Sequence, residues 1–188
     1  MIKTQYLALL RGINVGGNNI IKMVDLKTCF EKIGFTNVLT YIQSGNVIFK
    51  SEEKNKTKLT NHIEKALSAC FDYKSKIVLI THNQLETIVN EAPKGFGCKP
   101  DKYRYDVIFL KDNLTPNELI NSIKRKEGVD TANVGNLTLY FSRLISKAGQ
   151  SHLKYIITLP AYQNMTVRNW NTSKMLLEMM NKNKNTNA

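Results

Sequence analysis

Long apolar runs are missing from this 188-residue chain; the opening stretch Tyr6-Leu7-Ala8-Leu9-Leu10 holds only five residues. A bilayer span needs roughly 20, so the sequence reads as cytoplasmic, with no membrane partner and no secretory signal. Cysteine is scarce and odd in number. Cys29, Cys70 and Cys98 stand far apart without a Cys-x-x-Cys pair, which writes neither a disulfide framework nor a zinc site. Cys29 and Cys70 fall in apolar helical patterns and read as small buried hydrophobes. His62, His82 and His152 are isolated from one another, so no metal is expected. A Gly-x-Gly-x-x-Gly fingerprint is also missing. Gly12 and Gly17 have the spacing that opens a phosphate loop, but Asn18-Asn19 stand where Lys-Ser/Thr is needed. Rossmann and ATPase readings fail on those grounds, and no cofactor is assigned.

What the chain does have is a hydrophobic content of 42%, enough for the core of one domain or two small fused ones. Lys and Arg number 27 against 15 Asp and Glu, a net charge of +12 that suits a polyanionic partner. Arginine accounts for only Arg11, Arg104, Arg125, Arg143 and Arg168. The rest is Lys, and Lys, Asn and Ile share A/T-rich codons, so composition alone does not favour nucleic acid.

Apolar periodicity orders the elements. Tyr6–Leu10 reads as a strand, and Leu26, Cys29, Phe30 and Ile33 as a helix stopped by Gly34. Val38–Ile42 and Val47–Phe49 form a hairpin about Gln43-Ser44-Gly45-Asn46. Leu59, Ile63, Ala66, Leu67 and Cys70 mark a second helix, Lys76–Ile80 a strand, and Leu85, Ile88 and Val89 a trailing helix. This βαββαβ order with a trailing helix is ferredoxin-like. The order returns in the second half: a strand over Tyr105–Leu110, a helix from Thr115-Pro116, a strand over Leu137–Phe141, a helix on Leu153, Ile156 and Ile157, and a last helix on Met175, Leu176, Met179 and Met180. Gly135-Asn136 follows Gly45-Asn46 by 90 positions, as Leu153 follows Ile63. The expected fold class is therefore α+β, a tandem duplication of a ferredoxin-like unit. Residues 1–94 would be the first repeat, 95–182 the second, and 183–188 a frayed tail.

Features found in one copy only are the candidates for function. Arg11-Gly12-Ile13-Asn14-Val15-Gly16-Gly17-Asn18-Asn19 has no counterpart after Leu110. Its glycines can aim N–H groups at an anion, and its Asn and Arg side chains add donors. At the constant spacing, Val78, Leu79 and Ile80 become Arg168, Asn169 and Trp170, an exchange of buried aliphatics that costs desolvation unless these groups meet a partner. Ser44, replaced by Val134, carries a further hydroxyl. Arg11, Asn14, Gly16, Gly17, Asn18, Asn19, Ser44, Arg168 and Asn169 are thus the expected ligand-binding residues. Arg11, Asn14 and Asn18 are expected to face Arg168 and Asn169 across one cleft.

These segments, with Thr40-Tyr41-Ile42-Gln43-Ser44-Gly45-Asn46, resemble the signature of the uncharacterised domain-of-unknown-function family numbered 1697. Its members carry Ala-Leu-Leu-Arg-Gly-Ile-Asn-Val-Gly-Gly, here Ala8–Gly17, then Ser-Gly-Asn, here Ser44–Asn46. A closing Thr-Arg-Asn-Trp stands at Thr166–Trp170, with Val167 inserted. The resemblance implies a duplicated, ferredoxin-like α+β protein of the bacterial cytosol and implies no reaction. Three readings stay open. The first is a binding protein for an anionic ligand, either a nucleotide-like small molecule or a nucleic acid. The second is a scaffold or interaction module without ligand. The third is a small-molecule enzyme of unknown reaction, for which no acid–base pair or activated nucleophile is evident, so catalytic residues stay unassigned.

Overall fold

Tyr6–Leu10 is apolar throughout because the strand that carries it is covered on both faces. In the computed structural model, which describes residues 3–185, this strand is β1 (Thr4–Leu10), buried from Gln5 onward. The elements that follow are α1 (Met23–Lys32), β2 (Thr36–Tyr41), β3 (Asn46–Ser51), α2 (Lys56–Phe71), β4 (Ile77–Thr81) and α3 (His82–Asn90). Then come β5 (Tyr103–Leu110), α4 (Pro116–Ser122), β6 (Asp130–Gly135), β7 (Thr138–Leu144), β8 (Met165–Asn169) and α5 (Trp170–Asn185). Together they make an α+β chain with two four-stranded antiparallel sheets, ordered β2-β3-β1-β4 and β6-β7-β5-β8. The chain divides into two compact units, Met1–Gln84 with Met180–Ala188, and Leu85–Met179.

In the first unit, Tyr6, Ala8 and Leu10 alternate onto the sheet face that meets Leu26 and Phe30 of α1 and Ile63 and Leu67 of α2. Phe49 is the hub of this core, with ring centroids 4.4 Å from Phe35 and 5.4 Å from Phe30. Helix α1 ends as its sequence dictates. Gly34 takes φ +92, its N–H donates to Glu31 O, and Phe35 N–H reaches back to Phe30 O. That pair of bonds satisfies carbonyls the helix leaves open and tips the Phe35 ring into the core.

The second unit differs where its helix on Leu153, Ile156 and Ile157 was expected. Three 3₁₀ turns, Ile145–Gln150, His152–Thr158 and Pro160–Asn164, fill that connection instead. Pro160 bars a helix from continuing past Leu159, and Ile157, needed on the buried face, is 62% exposed.

Strand register also corrects the spacing of 90. Leu10 pairs with Ile77 and donates its N–H to Gly45 O; Leu110 pairs with Met165 and donates to Leu137 O. Aligned on those bonds, Arg168 stands where the first unit has Ile80, and Trp170 where it has His82. The two hairpins are not alike either. Tyr41 and Asn46 enclose four residues, whereas Gly135 and Thr138 enclose two. Gly135 is therefore the counterpart of Tyr41, and the left-handed position of its turn falls on Leu137, at φ 54. Insertions and deletions in loops preserve strand pairing but not sequence distance.

Candidate functional site

The loop after β1 folds on itself. Gly12, Asn14, Gly16, Gly17 and Asn19 all have positive φ, and Gly16-Gly17 turn the chain between the bridged residues Val15 and Asn18. Asn14 donates from Nδ2 to Ile21 O at 3.0 Å and to Gln43 O at 2.8 Å, and its Oδ1 accepts from Ile21 N–H. Asn19 Nδ2 donates to Gly12 O at 2.7 Å. The Asn14 and Asn18 backbone N–H groups donate to Asn19 O and Val15 O. These donors hold the loop's shape. Asn18, Gly16 and Gly17 are exposed at its tip, and Arg11 is half-buried at its root.

Ser44-Gly45-Asn46 is the footing of this loop. Asn46 is fully buried, and its Nδ2 donates to Tyr41 O and to Ser44 Oγ. Gly45 sits at φ +74, where a Cβ would come 2.6 Å from Ile13 Cδ1 and 2.8 Å from Leu10 Cβ. Ile13 is 1% exposed, so it has nowhere to retreat. Gly45→Ala combines a left-handed backbone with overpacking and is expected to lower unfolding free energy by about 1–3 kcal/mol. A urea titration checks this, and an unchanged midpoint would contradict it.

Segment 166–172 belongs to the second unit, and the alternation of β8 divides it. Arg168 lies opposite Val107 of β5 and is 6% exposed. Its Nη1 donates to Thr166 Oγ1 at 2.8 Å and to Val167 O at 2.9 Å, and burial pulls its pKa down to about 10, leaving it charged at neutral pH. Asn169 lies opposite Asp106, on the other face. Its Nδ2 donates to Tyr105 O, and its Oδ1 accepts from Asn171 N–H at the first turn of α5.

That junction borders a cavity of about 420 Å³. Its cause is a mismatch in strand length: β8 pairs with Asp106–Leu110, so among the described residues no strand continues beside Tyr103–Tyr105 of β5 on that edge. The opening is walled by Gly97 and Pro100, by Ile145 and Ala148, and by Trp170 and Asn171. Arg104 and Arg143, Cα partners on β5 and β7, line it as well. Behind them Asp106, 3% exposed, lies 3.6 Å from Arg104 Nε and 3.7 Å from Arg143 Nη2. Burial raises the Asp106 carboxyl above its ordinary range, and the two guanidinium groups offset this only in part. Two cations against one carboxylate leave the wall positive.

The aromatic side of the cavity is built around Phe96, whose ring meets Tyr105, Tyr140 and Trp170 at centroid distances of 4.9, 5.3 and 5.2 Å, all edge-to-face. Gly97, at φ +83, makes room for the indole, which a Cβ there would overlap. Tyr140 donates its hydroxyl to Ile88 O at 2.6 Å, and burial pushes its pKa up to about 12. Of the residues expected from the sequence, this cavity takes in Asn169. Arg104, Asp106 and Arg143 were missed, although an Asp inside the apolar run Tyr105–Leu110 was the available signal. Among the described residues, no three His, Cys, Asp or Glu side chains gather as metal ligands, and no helix is long and apolar enough to cross a membrane.

Residues 3–140 match the sequence model of a family described as "Protein of unknown function (DUF1697)". Among solved structures, the chain is similar to the conserved bacterial protein SP0830 from Streptococcus pneumoniae, with a TM-score of 0.83 and 23% identity. That similarity covers 96% of this chain and 99% of the other, and at this identity it bears on the fold. No curated protein matches the sequence significantly.

Proposed function

We propose that this chain, which belongs to the DUF1697 family of proteins of unknown function, binds an anionic small molecule with a flat aromatic part in the cavity of its second unit. The observation that carries the reading is the pair Arg104 and Arg143 in one cavity wall with Tyr103, Tyr105 and Trp170. Guanidinium groups offer planar, always-charged donors to carboxylate or phosphate, and the aromatic rings offer stacking surface. A volume of about 420 Å³ suits a mononucleotide-sized ligand. Among the described residues, no Ser, Thr, Cys or His lines the cavity, which favours binding over catalysis. Arg11, Asn14, Asn18 and Asn19 have no part in this proposal. The cytoplasmic, bacterial setting belongs to the same reading.

We also infer that the two units descend from a duplicated ferredoxin-like βαββαβ unit, with residues 1–94 and 95–182 as its copies. The identical strand order of the two sheets supports this.

Calorimetric titration with adenosine monophosphate, adenosine and inorganic phosphate tests the binding reading. The monophosphate is expected to bind more tightly than either fragment. Arg143→Ala should weaken it by at least about tenfold, the scale of one charged hydrogen bond, while Asn18→Ala leaves it unchanged. Absence of binding by all three, or equal affinity of Arg143→Ala and the natural protein, would overturn the reading. Tight, salt-sensitive binding of an oligonucleotide alone would move nucleic acid ahead.

A further inference from the structure

We propose that Cys29 and Cys70 form an oxidisable dithiol site, which closes to an intramolecular disulfide joining α1 to α2. The sequence places these residues 41 positions apart, yet α1 and α2 pack so that the two sulfurs lie 3.1 Å apart, with the Cys29 thiol donating to Cys70 Sγ. Neither is in a disulfide, and one of them is accessible: Cys29 is 3% exposed, whereas Cys70 is exposed, contrary to its reading as a buried hydrophobe. An S–S bond needs about 2.05 Å, so closure asks for a shift of roughly 1 Å between side chains on two helices, within reach of rotamer adjustment.

The division of labour follows from exposure. Burial, with Cys70 beside it, pushes the Cys29 thiol up to about 12, so it is sheltered and protonated at rest and gives up its proton only in the step that closes the disulfide. Cys70 is the entry point for the oxidant, which we take to be a hydroperoxide such as hydrogen peroxide. The Cys70 sulfur attacks one peroxide oxygen, the O–O bond breaks, and water leaves, giving the Cys70 sulfenic acid. The Cys29 sulfur then attacks the Cys70 sulfur. The S–O bond breaks, hydroxide departs with the Cys29 proton as a second water, and the S–S bond forms. Two thiols lose two electrons in total, and one peroxide becomes two waters. Cys98, also free and exposed, is the internal control for simple surface oxidation.

The product would clasp α1, the helix that follows the loop at residues 11–22, to α2 by a bond across 41 residues of chain. Such a cross-link restricts the unfolded ensemble, by an amount that grows slowly with the length of the closed loop. Oxidation should therefore raise the thermal midpoint, and dithiothreitol should return it.

The test treats the full chain and its Cys98→Ser variant with equimolar hydrogen peroxide, then alkylates under denaturing conditions. Intact mass before alkylation is expected to fall by about 2 Da, as for one disulfide. Peptide mapping without reductant should join the Cys29 and Cys70 peptides in monomeric protein, leave Cys98 open to alkylation, and behave identically in Cys98→Ser. Cys70→Ser and Cys29→Ser should each abolish the mass loss. The proposal is overturned if Cys29 remains alkylatable while Cys70 accumulates as sulfinic acid, or if the disulfides formed are intermolecular or involve Cys98.

Discussion

Trp170→Ala is expected to lower unfolding free energy by about 3–5 kcal/mol, the cost of deleting the largest side chain of a packed aromatic cluster. The indole is 7% exposed, meets Phe96 edge-to-face at 5.2 Å, and rests on the backbone of Gly97. Its removal frees Phe96, which also supports Tyr105 and Tyr140, so the loss spreads beyond one contact. The same substitution removes a wall of the cavity. Trp170→Phe separates the two effects: a smaller ring keeps part of the packing but leaves the ligand surface incomplete. Chemical denaturation monitored by far-ultraviolet dichroism reads the stability, and titration with adenosine monophosphate reads the cavity. A loss below about 1 kcal/mol for Trp170→Ala would show the cluster to be loosely packed.

Arg143→Ala is expected to cost about 3 kcal/mol, but only while Asp106 is a carboxylate. The substitution leaves a buried acid with Arg104 alone at 3.6 Å, and that guanidinium is itself half-exposed and weakened by solvent. Asp106→Asn removes the charge that needs compensation, so in that background Arg143→Ala should cost much less, a coupling of about 1 kcal/mol or more. The pH dependence carries the same physics. Since burial raises the folded-state pKa of Asp106 above its unfolded value, the folded chain binds the proton more tightly. Its contribution favours folding at low pH and is lost as pH rises from the ordinary Asp range through the raised value. Asp106→Asn should therefore flatten that part of the stability profile and leave the protein at least as stable at neutral pH. Equal costs for Arg143→Ala in both backgrounds would show that the ion pair holds nothing.

Both predictions concern residues that sequence reasoning treated unevenly. Trp170 and Asn169 stood out because each replaces a buried aliphatic of the first repeat at the constant spacing. Arg104 and Arg143 do not. Each is a charged residue near a strand end, where charge is ordinary, and only the pairing of β5 with β7 sets them side by side over Asp106. Asn14 and Asn19 are a different case. Turn-forming and ligand-binding positions use the same residues, glycine for left-handed backbone and asparagine for its paired donor and acceptor, so in the sequence their loop reads either way. In the fold, the amide groups of Asn14 and Asn19 bond to backbone.

By itself the sequence determined the local events: the strand at Tyr6–Leu10, the stop of α1 at Gly34, the order of the first unit's elements, and the family to which they belong. Each depends on residues within a few positions of one another, where periodicity and φ preference act directly. Tertiary structure decided what depends on registry and closure. It set Arg168 against Ile80 rather than Val78, replaced an expected helix by three 3₁₀ turns, and opened a cavity where β8 falls short of β5. It also brought Cys29 to 3.1 Å from Cys70. These outcomes follow from which strand edges pair and which helix faces meet, and those choices minimise buried unpaired backbone over the whole unit, a quantity no local window contains.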